Sequence, residues 1–370
     1  MLITLISAKY WQRKIAAYEM RLGPMQDVLP NTDQYLACPF GGSAMSTFAK
    51  ALADEIFTAK SDYKYSSSGW VLEVGKTVLA KSGDDVILGE SRDYREEGIL
   101  NFGTVDAGNG NDLISGIGDY APSGTGIGIS NFWWILGGNG NDRIYGEGFD
   151  LGIYNTSLGV IDGGNGDDTI EGFGSGGQGQ EGIVNGGKIL GGKGNDHIKG
   201  SGLDWGIENH NLIDAGLGDD IIYGESLVTP STQTSIGIVN GGDGIINTGS
   251  GNDTLTGAGR DFGVYNNGLI SFGHGDDLID GGNSGFGGQG VVDMGDGDDT
   301  VKGFGTGSFN GGLGIDNLIF NTGLYTVEAL GGESYLIGGI MTVSGFENFG
   351  SSGSAQSFDD AVVVGFVSFG

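Results

Sequence analysis

From Val78 onward the chain repeats itself around one aspartate, and that repeat leaves few folds open. The anchors are Asp85, Asp112, Asp142, Asp168, Asp196, Asp220, Asp253, Asp277, Asp299 and Asp316. Seven residues before each stands an apolar residue, Val78, Val105, Ile135, Ile161, Ile189, Ile213, Ile246, Ile270, Val292 and Phe309 in turn. Two residues after each comes another, from Ile87 and Ile114 to Val301 and Leu318, again in all ten copies. A third signal, Gly-Ile-x-Asn, precedes the anchors at Asn101, Asn131, Asn155, Asn185, Asn209 and Asn240, and with valine at Asn266.

The anchors lie between 17 and 33 residues apart, yet the segment from asparagine to aspartate keeps nearly constant length. Insertions therefore fall at one corner, between the anchor strand and the next Gly-Ile-x-Asn. Three short apolar-alternating strands per repeat, broken by glycine, describe one coil of a parallel β-helix with its Ile and Val ladders turned inward. The asparagines are expected to stack into an amide ladder that satisfies backbone groups left open at the bend. About nine to ten coils, each rising about 4.8 Å, give a rod on the order of 45 Å.

Composition agrees with this reading. Seventy-nine glycines against five prolines, with no collagen period, mean that tight turns are needed repeatedly. The 17 basic and 47 acidic residues, a net charge of −30, argue against nucleic acid or an anionic membrane as partner and for cations. With 38% apolar and only 17% charged residues, the chain from about residue 70 onward is too hydrophobic for simple disorder. One cysteine, Cys38, rules out an intramolecular disulfide, so some other cross-link must hold the coils. No run of about 18 apolar residues predicts a transmembrane helix. The start, Met1 to Tyr10, lacks a basic n-region and a cleavage site, so no Sec signal peptide is expected.

The turns before the anchors carry the chemistry. Ala107-Gly-Asn-Gly-Asn-Asp112, Gly137-Gly-Asn-Gly-Asn-Asp142, Gly163-Gly-Asn-Gly-Asp-Asp168, Gly191-Gly-Lys-Gly-Asn-Asp196 and Gly311-Gly-Leu-Gly-Ile-Asp316 resemble the nonapeptide of RTX (repeat-in-toxin), or hemolysin-type calcium-binding, proteins. That pattern is Gly-Gly-x-Gly-x-Asp-x-apolar-x, and the resemblance covers residues 82 to about 320. It implies a Ca²⁺-bound β-roll, type I secretion guided by the C-terminus, an extracellular location, and folding only after export into calcium.

The spacing also has a physical logic of its own. Ca²⁺ takes six to eight hard oxygens at about 2.3–2.6 Å. Glycines at positive φ turn carbonyl oxygens inward while the anchor adds a carboxylate. One turn supplies too few ligands, so a cation would clamp consecutive coils and couple binding to folding. All ten anchors are therefore candidate Ca²⁺ ligands. The polar alternative, a calcium-free solenoid turn, remains the competing reading. Unlike RTX rolls, each turn here is followed by an extra 8 to 24 residues, which predicts a three-sided helix with a single row of ions. The first turn, Lys81-Ser-Gly-Asp-Asp85, lacks two glycines and is the weakest copy.

The ends differ from the middle. Met45 to Lys60 has apolar residues at Phe48, Leu52 and Ile56 and at Ala49, Ala53 and Phe57, spaced for an amphipathic helix that would cap the solenoid. After Asp316, Gly345-Phe-Glu-Asn-Phe-Gly-Ser351 looks like strings that flank RTX arrays, and the tail to residue 370 is read as a β cap compatible with a type I secretion signal. The division expected is 1–70 as N-terminal cap, 71–320 as calcium-binding repeats and 321–370 as C-terminal cap.

Parallel β-helices also host polysaccharide lyases, hydrolases and epimerases, which need carboxylates converging on one face. Glu171, Asp204 and Glu208 are outward candidates, but such residues are expected by chance in so acidic a chain. Phe132-Trp133-Trp134, Trp205, Tyr154 and Tyr265 suggest a platform for sugar rings, although strand alternation is expected to bury some of them. His197, His210 and His274 share no metal-ligand spacing. The reading that results is an all-β, right-handed parallel β-helix that binds Ca²⁺, is secreted, serves a structural or adhesive role toward an extracellular polysaccharide or cell surface, and is not an enzyme; a carbohydrate-active β-helix enzyme is the alternative.

Overall fold

Each coil consists of three strands: those of the second and third sheets alternate core and outward residues and then break, whereas those of the first sheet, such as Ile127–Asn131, are buried at almost every position. The computed structural model describes residues 50–52, 55–57, 59–91, 97–119, 126–176, 180–227, 234–321, 323–351, 354–357 and 366–369, all of which fall within the compact unit Ala49–Gly370. A representative coil runs through Ile127–Asn131, Trp134–Asn139 and Arg143–Gly148, and the next through Leu151–Asn155, Val160–Asn165 and Thr169–Gly174. Equivalent strands stack into three sheets of ten, fifteen and thirteen strands. Pairing along the repeats is parallel and in register: Ile129 opposes Ile153, Ile135 opposes Ile161, and Ile144 opposes Ile170. The protein is an all-β parallel solenoid, as the repeat requires.

The apolar ladders form the core. Ile135, Ile161, Ile189 and Ile213 of the second sheet, and Ile144, Ile170, Ile198 and Ile222 of the third, are all within 1% of complete burial. The first and third sheets approach so closely that only glycine fits between them. A Cβ on Gly146 would stand 2.2 Å from the Gly152 carbonyl oxygen, and one on Gly128 2.3 Å from the Glu147 nitrogen.

The link from second to third strand keeps one length, while the link from third strand to the next first strand varies between Gly148–Leu151 and Ser226–Ile236. The insertion corner is thus where the spacing placed it. At the opposite corner the asparagines stack as expected. Asn101, Asn131, Asn155, Asn185, Asn209 and Asn240 each donate Nδ2 to the Oδ1 of the next, at 2.8–2.9 Å, ending on Asn266. Each donates as well to a carbonyl that opens a second-sheet strand, such as Asn155 Nδ2 to Lys188 O at 3.0 Å.

The N-terminal helix is a correction. Lys50–Leu52 and Glu55–Ile56 are strands that pair in parallel with Trp70–Leu72 and Val78–Leu79, so coiling begins before residue 71; Met45 to Ala49 lie outside the described residues. Backbone groups at the first coil find partners on the coil below, and that pairing overrides a weak helical periodicity. Phe57, taken from the expected helix, is buried at the end of the core.

At the other end the sheets turn antiparallel. Gly323–Ala329, Ser334–Ile337 and Met341–Ser344 extend the second sheet, and Asn348–Ser351 pairs with Ser354–Ser357 on the third. Phe304, Phe320 and Tyr325 close the core, with Phe320 stacked on Tyr325 at 4.8 Å. Asn348–Ser351, from the string read as flanking RTX arrays, and Phe366–Phe369 of the tail contribute to this β cap, while 358–365 lie outside the described residues.

Breaking the asparagine ladder at its centre tests this account. Asn185→Ala removes two rungs and leaves buried partners unpaired, and should cost about 2–4 kcal/mol in a denaturant titration. Gly146→Ala forces the two sheets apart and should cost more, whereas Ser157→Ala in an exposed link should change the midpoint little.

Candidate metal site: the stacked aspartate turns

The turn before each anchor is shaped by paired glycines. Gly138 and Gly140 lie at φ 115° and 125°, and their equivalents in neighbouring coils adopt the same region. Stacking demands it in space as well: a Cβ on Gly140 would sit 1.9 Å from the Gly110 carbonyl oxygen. In the first turn Lys81 occupies the first of these positions at φ 78°, a strained conformation for a lysine, in keeping with that copy being the weakest.

All ten anchors occupy one line, each between 0 and 4% exposed. One carboxylate oxygen of each is committed to the preceding coil. Asp85 N–H donates to Asp112 Oδ1, Asp112 to Asp142, Asp142 to Asp168 and Asp168 to Asp196, at 2.7–2.8 Å. The same bond continues through Asp220, Asp253, Asp277, Asp299 and Asp316 at 2.7–2.9 Å. The ladder starts at Asp62, whose N–H reaches Asp85 Oδ1 at 2.6 Å. It ends on Glu347, whose Oε2 takes the Asp316 N–H at 2.7 Å.

Glu347 was missed as a rung: Phe349 follows it by two residues as in the repeats, but the core residue in register with Phe309 is Val343, only four residues before it, so the seven-residue spacing is broken there. A second ladder was missed too. The residue before each anchor is Asp or Asn in nine of ten turns, Ile315 being the exception. These side chains accept from the following coil, so this ladder runs the opposite way: Asn141 N–H to Asn111 Oδ1 at 2.8 Å, Asp167 to Asn141 at 3.0 Å, Asn195 to Asp167 at 2.9 Å. Two opposed side-chain ladders thus satisfy the turn N–H groups that glycine leaves open.

The second oxygen of every anchor, Oδ2, is buried without a hydrogen-bond partner. A Cβ at the glycine five residues before the anchor would stand 2.8 Å from Asp142 Oδ2 and 2.6 Å from Asp168, Asp196 and Asp316 Oδ2, so this oxygen faces the inner side of the coil. In the turns of Asp277 and Asp299 that place belongs to the fully buried Phe272 and Met294. Burial pushes the carboxyls of Asp112, Asp142, Asp196, Asp220 and Asp277 up to about 7, and the neighbouring carboxylates add to it. It pushes Asp168, Asp299 and Asp316 up to about 6, and raises Asp85 and Asp253 as well.

An unpartnered, desolvated carboxylate oxygen suits a proton or a hard cation. Among the described residues no three His, Cys, Asp or Glu side chains converge, so a cation here would rely on one carboxylate per turn together with backbone carbonyls.

The other candidates do not assemble. Glu171 lies on the third sheet, tied to Arg143 at 2.7 Å and Lys199 at 3.1 Å, whereas Glu208 lies on the first. Burial raises the Glu208 carboxyl, and Glu208, 2.9 Å from the His210 ring, holds His210 above its usual range. His274 contacts Asp296, its cross-strand partner on the next coil, at 3.0 Å, on a different sheet from Glu208. Trp133 and Trp134, expected to be partly buried by strand alternation, are 45% and 46% exposed, because Trp133 sits in the link and Trp134 opens the outward row of its strand. No protein family, no curated protein and no solved structure matches the chain.

The ladder makes stability depend on pH in a defined sense. In chelator, the folded state holds its anchor protons more tightly than the unfolded chain, whose aspartates titrate near pH 4. This contribution is fully present below pH about 4 and is lost as pH rises through about 6 to 7, so the Tm in EDTA should fall between pH 5 and 8. Asp196→Asn keeps the acceptor for the Asp168 N–H and removes the charge. It should raise the Tm at pH 8 in EDTA and do little at pH 5, while Asp196→Ala lowers it at both.

Proposed function

We propose that the chain is a calcium-binding β-solenoid of the RTX type, secreted by a type I route, whose extracellular role is structural or adhesive and whose folding is driven by Ca²⁺. One observation carries the reading. The row before the anchors mixes five Asp with four Asn, since either accepts a backbone N–H, but the anchor row is Asp in all ten copies. Asparagine would make the same ladder bond without bringing a charge inside. A buried row that never uses the neutral residue is explained by a need for the charge itself, with Oδ2 left for a cation.

The residues that would hold Ca²⁺ are the anchors Asp85 through Asp316, helped by carbonyls of the glycine turns. When bound, the cation supplies the charge compensation that protons otherwise give. Turns with glycine beside Oδ2, those of Asp142, Asp168, Asp196 and Asp316, leave the most room for it, and those of Asp277 and Asp299 the least. The net charge of −30 adds to the same requirement, because self-repulsion disfavours a compact chain until counter-charge arrives.

Far-UV circular dichroism of the purified chain at pH 8 in EDTA, titrated with Ca²⁺ and separately with Mg²⁺, tests the proposal. A coil-to-β transition produced by Ca²⁺ and not by Mg²⁺ is expected, with Asp142→Asn, Asp168→Asn and Asp196→Asn combined shifting the midpoint to higher Ca²⁺. An unchanged β spectrum in EDTA, with no Ca²⁺-dependent rise in Tm, would overturn it and leave proton binding as the role of the anchors.

A further inference from the structure

The outer face of the second sheet carries an order that neither the core nor the turns require. The residue opening each strand forms one in-register row, in which Trp134, Val160, Lys188, Leu212, Ile245 and Leu269 follow one another coil by coil. Trp134, Ile245 and Leu269 are 46%, 42% and 38% exposed, so the row is largely an open apolar stripe. Two positions further along each strand runs a second outward row, where Asp106, Asp162 and Asp214 alternate with Leu136 and Leu190.

The two rows meet around Trp134. Its strand neighbours across the coil are Thr104 and Val160, and its own second-row residue Leu136 pairs with Asp106 on one side and Asp162 on the other. Asp106 and Asp162, both half-buried, thus bracket Leu136 along the solenoid axis, two residues along the strand from the exposed indole of Trp134. Trp133 stands next to it in the link, and Phe102 and Phe132, their ring centres 4.6 Å apart, lie just beyond. Exposed aromatic surface of this kind is costly unless something covers it.

Charge selects the occupant. A polyanion or an anionic membrane would meet Asp106, Asp162 and Asp214 in a chain already at −30. A second copy laid face to face would set these rows of carboxylates against one another. A neutral ligand rich in hydroxyl donors, with flat apolar faces, meets no such penalty: ring C–H faces pack on indole and aliphatic side chains, and hydroxyls donate to the carboxylates. The stripe repeats at each coil, about 4.8 Å apart, which suits an extended polymer rather than a single small molecule.

We infer that this face binds a neutral polysaccharide, with Trp133 and Trp134 as the stacking platform and Asp106 and Asp162 as hydroxyl acceptors. The inference rests on the solenoid alone and stands whether or not the turns hold calcium.

Affinity electrophoresis of the full chain through gels containing hydroxyethylcellulose, dextran or alginate tests it, with circular dichroism confirming that each variant is folded. Retardation by a neutral glucan and not by alginate is expected. Trp133→Ala with Trp134→Ala should weaken it by about tenfold or more, and Asp106→Asn with Asp162→Asn by roughly three- to tenfold. No retardation by either neutral glucan, equal retardation of the tryptophan variant, preference for alginate, or self-association that disappears with the tryptophans would each overturn the inference. Loss of β structure in EDTA with retardation intact in Ca²⁺ would support this face and the calcium reading separately.

Discussion

At its core and at two of its corners every repeat meets the next through residues of the same kind at the same height, and at those corners the contacts are hydrogen bonds that one coil cannot close alone. An asparagine amide at one corner needs the amide above it. A turn N–H at the opposite corner needs a carboxylate from the following coil. Stability therefore accrues between neighbours along the axis, and a coil without a neighbour has open backbone groups at both corners. The ends show the consequence. Glu347 offers the last carboxylate to Asp316, and antiparallel strands finish the sheets there.

The two corners solve one geometric problem with different chemistry. At the asparagine corner each amide has both its oxygen and its nitrogen occupied, so burial costs little beyond ordering the side chain. At the aspartate corner only one oxygen is occupied and the other is buried bare. A charge in that position is destabilising by itself and so becomes a point where protons or cations control the fold. Burial raises these carboxyls most, and at Asp112 and Asp196 the anchors of the adjacent coils raise them further.

The ladders of isoleucine, asparagine and aspartate were legible because a solenoid writes each contact into the sequence once per coil. The failures occurred where that repetition stops or where direction matters. Met45 to Phe57 has helical spacing, but the strands at Lys50–Leu52 and Glu55–Ile56 form because the coil below presents an edge to pair with. The row of Asp and Asn before the anchors is equally regular, but what its side chains bond to depends on the coil stacked beside them. Strand alternation was expected to bury some of the aromatics around Trp133 and Trp134, and only the start of the strand at Trp134 decides that both are exposed.

What the sequence determined by itself is the set of rows: three strands per coil, apolar residues seven before and two after each aspartate, and an asparagine at a fixed bend. Periodicity is enough for that, because in-register parallel stacking maps sequence position directly onto height and face. The tertiary structure decided what each row touches. It alone shows that one oxygen of every anchor belongs to the coil before it while the other is stranded inside. It also sets the first and third sheets at glycine distance and leaves Trp133 and Trp134 exposed at the edge of an outer face on which Asp106 and Asp162 flank Leu136. These are relations between residues some 24 to 30 positions apart, set by the twist and closure of the coil, which no local pattern records.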